Sequence, residues 1–170
     1  MPDTLRCLVE IPKGSRNKYE YDPALGGIKL ARFLFSSVVY PSDYGFLPET
    51  VGEDGDHLDA LVLVERPTFP GCVIDVRALA ALRLSDDAGQ DDKIICVPCE
   101  DPHWSALHTL DDIPPQLRTE IEHFFSIYKQ PEGRSVEIQG FVDREEALAL
   151  IAAARERFAA RERFSSPDRA

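Results

Sequence analysis

The sequence predicts an α+β protein, mainly β in its first hundred residues, with a small barrel or strongly curved sheet followed by two C-terminal helices. Short β-forming runs recur from Leu5 to about Val97, each closed by turn residues. Beyond Pro114 the apolar spacing changes to three and four residues. With 170 residues, 44% hydrophobic and 29% charged side chains, the chain has apolar material for one core, so residues 1–170 are expected to form one domain.

The predicted strands are Leu8 to Ile11, Tyr19 to Tyr21, Ile28 to Leu30, Leu61 to Val64, Val73 to Val76 and Ile94 to Val97. Gly26-Gly27, Pro70-Gly71 and Ala88-Gly89 supply turns, because glycine reaches the left-handed region and proline presets φ. Strands spaced this closely suit a barrel. Pro114 and Pro115 can open a helix whose apolar face is Leu117, Ile121, Phe124, Phe125 and Tyr128. A second helix starts at Asp143, a good N-cap with Glu146 three residues on, and continues through Leu148, Ile151 and Phe158. The tail 165–170 is expected to fray.

No stretch at the N-terminus resembles a signal peptide, and no run of about 18 apolar residues occurs, so a cytoplasmic protein without a membrane partner is expected. A net charge of -11 argues against a general nucleic-acid binder, since phosphate backbones require a basic surface. A small anion remains compatible if metals and local Lys/Arg invert the field at one place. The four cysteines do not look like a disulfide framework in a chain of this length; they read as reduced, and most of them as core residues.

Chemistry concentrates in Glu53-Asp54-Gly55-Asp56-His57-Leu58-Asp59, where three aspartates fall within six positions around a glycine. Crowded carboxylates repel unless a cation lies among them, and their hard oxygens suit Mg²⁺. An EF-hand is the obvious alternative, and Glu65 even falls at its twelfth position. It fails because position 5 is Leu58 and position 6 is Asp59, where glycine is required. A second acidic turn, Asp86-Asp87-Ala88-Gly89-Gln90-Asp91-Asp92-Lys93, follows about thirty residues later. Either loop alone reads equally well as a solvated turn; together they can face each other across a barrel mouth. Lys18, Arg32, Tyr40, Tyr44, Lys93, Tyr128 and Lys129 lie where an anion pocket would use them, although each alone is weak.

Taken as an ordered set, these residues resemble the soluble family I inorganic pyrophosphatases of the bacterial type. The resemblance covers roughly Leu5 to Phe158. It rests on Glu10-Ile-Pro with Lys18-Tyr-Glu20, Arg32-Phe, Tyr40-Pro-x-x-Tyr44-Gly, Asp54-Gly-Asp56-x-x-Asp59, Asp86-x4-Asp91-x-Lys93 and His123-Phe-Phe-x-x-Tyr128-Lys129. It implies a five-stranded OB-like barrel flanked by the helices, a homohexamer, and Mg²⁺-dependent hydrolysis of pyrophosphate to two phosphates. By position it implies Asp54, Asp59, Asp86 and Asp91 as direct Mg²⁺ ligands, with Glu10 and Glu20 holding further metal or its waters. Asp56 is implied as the group that orients and deprotonates the attacking water, with Asp91 the alternative acceptor. Lys18, Arg32, Tyr44, Lys93, Tyr128 and Lys129 are implied as the phosphate-binding shell. The chemistry agrees: a multiply charged anion needs cations to neutralise it and a water acidified by metal.

His57 departs from the pattern, which has Pro there, and position 87 is Asp where Glu is common; neither replaces an implied ligand. His57 reads as a surface residue filling the loop, with a softer transition metal beside the cluster as the alternative. Cys96-Val-Pro-Cys99 with His103 and His108 invites zinc, but Cys96 lies in a strand-like run and the histidine spacing is short for a finger. His123 reads as a helix-packing residue or a subunit contact. Two rival functions are hydrolysis of another phosphoanhydride, for which no P-loop is present, and an OB-like nucleic-acid or sugar module, against which the acidic balance weighs.

Overall fold

The computed structural model describes residues 4–165, so all but the first residue of the predicted frayed tail lies outside the described residues. In chain order the elements are β1 (Leu5–Ile11), β2 (Asn17–Asp22), β3 (Gly27–Phe33), β4 (Asp43–Leu47), β5 (Leu58–Val62), β6 (Val73–Asp86), β7 (Gly89–Gln90), β8 (Lys93–Pro98), α1 (Pro115–Ile127), β9 (Glu137–Val142) and α2 (Arg144–Ser165). Strands β1, β4, β5, β8 and β6 follow one another around a ring that β6 closes by pairing with β1. All neighbours in the ring are antiparallel except β5 and β8. The ring is the five-stranded, OB-like barrel that was expected.

Three parts of the sheet escape sequence reading, each for a physical reason. Strand β4 has Gly45 at its centre, which weakens a strand pattern. The structure needs it there: a Cβ at Gly45 would lie 1.9 Å from the Leu8 carbonyl oxygen of the neighbouring strand. Strand β6 runs ten residues past Val76, through Arg-Ala-Leu-Ala-Ala-Leu-Arg-Leu, whose residues are strong helix formers. Pairing with β1, β8, β9 and β7 along its length overrides that propensity, and a bulge between Ala78 and Ala80 bends it around the ring. Strand β9 is interrupted by Gly140 at φ 106° and joins only the far half of β6.

Both helices form where predicted. Asp143 Oδ1 accepts the Glu146 N–H at 3.0 Å and caps α2. The reciprocal half of the capping box is replaced: the Glu146 carboxylate reaches Arg83. Helix α1 buries Ile121, Phe124 and Phe125, with Tyr128 at its C-cap, in a cluster with Tyr40, Tyr44, Leu61, Leu79 and Ile95. Helix α2 buries Ala147, Ile151 and Ala154 in a second cluster with Ala60, Val62, Ile94 and Cys96. Successive residues of β5 and β8 thus enter different clusters, as the period-2 pleat requires. His123 is exposed on α1, which corrects its reading as a packing residue. Cys96 is buried and its thiol is pushed up by burial, as expected of a core cysteine.

Candidate active site

Strand ends and their loops converge on one cavity of about 430 Å³. Glu10 reaches it from the end of β1, Lys18 and Glu20 from β2, and Tyr44 from β4. Asp54, Asp56 and His57 come from the loop before β5, and Asp59 from β5 itself. Asp86 ends β6, Asp91 and Lys93 flank the start of β8, and Tyr128 and Lys129 close α1. The two acidic turns therefore share a wall, brought together because β5 and β8 run parallel with Asp59 opposite Lys93.

Lys93 organises the floor. It is 1% exposed, and its ammonium donates to Asp59 Oδ2 at 2.6 Å, Asp91 Oδ1 at 2.9 Å and the Tyr44 hydroxyl at 2.9 Å. Burial acts to lower the Lys93 pKa, yet the Asp59 and Asp91 carboxylates outweigh it and hold the ammonium charged well above its ordinary range. Asp91 is itself raised, by burial first and then by Asp59, against the pull of Lys93. Two carboxylates share one ammonium, so the group is short of positive charge.

Other carboxyls show the same shortage unevenly. Asp54 is raised by burial and by Asp91 and Asp56, while its Oδ1 accepts the Asp56 N–H at 3.0 Å. Asp86 goes the other way: burial is overcome by Lys129, whose ammonium donates at 2.7 Å, and by the Ala88 N–H and the Arg134 charge. Lys18 pairs with Glu20 at 3.1 Å. Burial pushes the Glu10 carboxyl up to about 7, opposed by the Tyr21 N–H it accepts at 2.7 Å and reinforced by Asp59 and Glu20.

That Glu10 shift has a stability consequence. Its folded value lies above the ordinary 4.5, so the stabilisation is complete below that value and is lost as pH rises through about 7. Glu10→Gln should raise the melting temperature of metal-free protein at about pH 8 by roughly 3–8 °C and leave it nearly unchanged near pH 4.5. Thermal melts across that range read the effect; an equal shift at both ends would show that burial of the charge is not its cause.

Whether these residues suit a divalent cation can be judged from their chemistry. Among the described residues, no three His, Cys, Asp or Glu groups converge closely enough to hold a metal unaided. The donor set is nonetheless all hard oxygen around one cavity, with Glu10, Asp54 and Asp91 pushed up chiefly by burial, Lys93 bridging Asp59 and Asp91, and Lys129 paired with Asp86. This fits Mg²⁺, which keeps several waters and takes ligands from substrate phosphates. Asp101, not Cys96 or Cys99, accepts from His103, and the zinc alternative gains no support.

Twelve of the thirteen site residues that the resemblance implies line the cavity, as does Tyr40; Arg32 is not among the lining residues. Its guanidinium is paired with Glu132, and its charge is felt at the buried Tyr40 hydroxyl. Arg134, which lines the wall beside Asp86, escaped sequence reading, as a single arginine in a turn has no motif to announce it. His57 is exposed but fixed: its ring stacks on Phe46 at 4.7 Å and 9°, and its Nδ1 is 2.9 Å from the Thr50 carbonyl. A carbonyl only accepts, so Nδ1 carries the hydrogen, and these contacts stiffen a loop that lacks its proline.

An OB-like barrel whose mouth gathers carboxylates, lysines and tyrosines in one cleft is the scaffold of a hydrolase acting on a small, multiply charged anion. The relatives agree with the class. The description "Inorganic pyrophosphatase" belongs to a family model that matches residues 7–159. The inorganic pyrophosphatase of Methanosarcina mazei is 51% identical over 159 residues, 94% of each chain. That of Streptomyces coelicolor is 52% identical over 151 residues, 88% of this chain and 93% of its own. The crystal structure of the Thermus thermophilus inorganic pyrophosphatase superposes with a TM-score of 0.89 at 43% identity, over 93% of this chain and 92% of its own. The chain belongs to the inorganic pyrophosphatase family of hydrolases.

Proposed function

We propose that the protein hydrolyses inorganic pyrophosphate to two orthophosphates with Mg²⁺ bound in the cavity. The observation that carries this is the Lys93 arrangement, in which one buried ammonium bridges two carboxylates at the meeting point of the two acidic turns. Asp54, Asp59, Asp86 and Asp91 would hold the cations, with Glu10 and Glu20 as outer supports. Mg²⁺, when bound, neutralises the substrate and lowers the pKa of water.

The chain's own groups then do the rest. Asp56, exposed at the mouth on a loop held by other contacts, orients the attacking water and accepts its proton. As the water oxygen bonds to one phosphorus, the bridging P–O bond breaks and its electrons leave with the second phosphate. Lys18, Lys129, Tyr44 and Tyr128 donate to peripheral and leaving oxygens as charge builds there, while Lys93 adds its charge from the floor and Arg32 adds the charge that already reaches the Tyr40 hydroxyl. Asp91 is a poorer acceptor than Asp56, because Lys93 already occupies one of its oxygens.

Exposed apolar side chains support a homo-oligomer, a hexamer by family resemblance. They include Leu30 and Phe33 on β3, Phe35 and Val39 beyond it, and Phe164 near the end of α2. Four unpaired cysteines support a reducing, cytoplasmic setting, and no helix of the described residues is long and apolar enough to cross a membrane. Phosphate release from pyrophosphate with Mg²⁺, beside ATP and an oligonucleotide as controls, is the test, with light scattering on the same preparation for assembly. Release should require Mg²⁺ and be at least about a hundredfold faster with pyrophosphate than with ATP, a margin that places selectivity beyond a single methylene-sized difference. Absence of release would sink the proposal.

A further inference from the structure

The hairpin β2–β3 carries Lys18 and Glu20 to the cavity, yet it is a two-stranded sheet of its own and shares no ladder with the barrel. Backbone bonds tie its base, Gly14 N–H donating to the Tyr40 carbonyl at 2.9 Å and Tyr40 N–H to the Ser15 carbonyl at 3.1 Å, and side-chain contacts hold the rest of it across the cleft. One is Tyr21 N–H donating to Glu10; another is Arg32, directly opposite Lys18 in the hairpin register, paired with Glu132. Glu132 ends a short 3-10 turn, Gln130–Glu132, and its N–H donates to the Lys129 carbonyl at 3.1 Å. The Arg134 N–H donates to the same carbonyl at 3.2 Å. Glu132 thus belongs to the turn that holds Lys129 and Arg134 on the opposite wall.

The Glu132 side chain is 9% exposed, and one of its oxygens, Oε1, is buried without a hydrogen-bond partner among the described residues. A carboxylate buried with an unsatisfied oxygen is a poor device for stability alone, since an apolar side chain would avoid the cost. Its use is better sought in geometry: a charged pair of limited flexibility specifies the separation of the two walls it joins.

We propose that Glu132 is a positioning residue. By holding Arg32, it keeps the hairpin's Lys18 and Glu20 in register with Lys129 and Arg134, so that cationic groups on both walls meet the two ends of a diphosphate. This rests on the function proposed above. Glu132 touches neither substrate nor cation; it acts through Arg32.

The test uses full-length Glu132→Gln and Glu132→Ala, each alone and combined with Arg32→Ala, loaded with Mg²⁺. Three quantities are read: KM and kcat for pyrophosphate, the affinity for the non-hydrolysable analogue methylenediphosphonate, and the melting temperature. Glu132→Ala should raise KM and weaken analogue binding about tenfold, with kcat lowered less than threefold and, because Arg32 is left without its partner, a modest fall in melting temperature. Glu132→Gln, which keeps an acceptor of the same shape, should recover part of the binding loss. In the Arg32→Ala background, Glu132→Ala should add almost nothing, because the two act as one unit. Unchanged KM and analogue affinity with a lowered melting temperature would show a purely structural pair and overturn the proposal, as would additive effects of the two substitutions. Wild-type protein that released no phosphate would remove the functional reading and this proposal with it; a normal wild type beside unaffected variants would remove this proposal alone.

Discussion

Asp56→Asn should lower kcat for pyrophosphate hydrolysis by roughly 10² to 10⁴-fold while leaving the fold and the melting temperature essentially unchanged. The separation of chemistry from stability follows from how the loop is built. Its shape is carried by backbone contacts: the Gly52 N–H donates to the Asp56 carbonyl at 2.6 Å, and the Gly55 N–H donates to the Gly52 carbonyl at 3.1 Å. Asp54 caps the Asp56 N–H from its side chain, and Gly55 takes the left-handed φ of 90° that the turn demands. The Asp56 carboxylate is exposed at the mouth, so asparagine keeps the shape and loses the proton acceptor. Steady-state kinetics at saturating substrate and Mg²⁺, with circular dichroism melts, provide the check. A loss below tenfold would transfer the acceptor role to Asp91, whose own Asp→Asn change would then give the larger fall.

Lys93→Met should have the largest effect on the protein as a whole. Removing the ammonium leaves Asp59 and Asp91 facing each other without compensation, and breaking a buried pair of this kind costs about 3–5 kcal/mol. Contacts with the Tyr44 and Phe125 rings, at 5.4 and 5.7 Å from the ammonium, go with it. For a chain of this size that corresponds to roughly 6–20 °C in melting temperature for metal-free protein. Mg²⁺ should return part of the loss, because a divalent cation among the same carboxylates supplies the missing charge, while turnover stays depressed because Asp59, Asp91 and Tyr44 lose the group that fixes them. Melts in EDTA and in Mg²⁺ read the difference. A metal-free variant more stable than wild type would mean that burying the ammonium costs more than its two carboxylates return.

Much of the site was legible because its acidic groups are local. Asp54, Asp56 and Asp59 fall within one loop and strand start, and Asp86, Asp91 and Lys93 within one turn, so spacing alone marks each cluster. The helices were legible for the same reason, since their signals are caps and a repeating apolar face over adjacent turns. What stayed hidden was carried by long-range contacts. Gly45, which the close approach of the Leu8 carbonyl requires, weakens the strand pattern of β4, and the Ala-Leu run of β6 is made of helix-forming residues that its four partner strands hold extended. Arg32 was assigned to phosphate by its place in a motif, whereas its partner Glu132 lies one hundred residues away in sequence.

By itself, then, the sequence determined the secondary elements with strong local periodicity, the two acidic turns, and the hard-oxygen, lysine-rich chemistry that points to a cation-assisted phosphate site. Tertiary structure alone decided that the two turns share one wall, that Lys93 is buried between Asp59 and Asp91, that Arg134 lines the cavity and that Arg32 pairs with Glu132. The reason is that side-chain type and spacing are properties of neighbouring residues. Burial, closure of the barrel and the shift of each carboxyl depend on which distant strands meet, and that is settled by packing and charge across the whole fold.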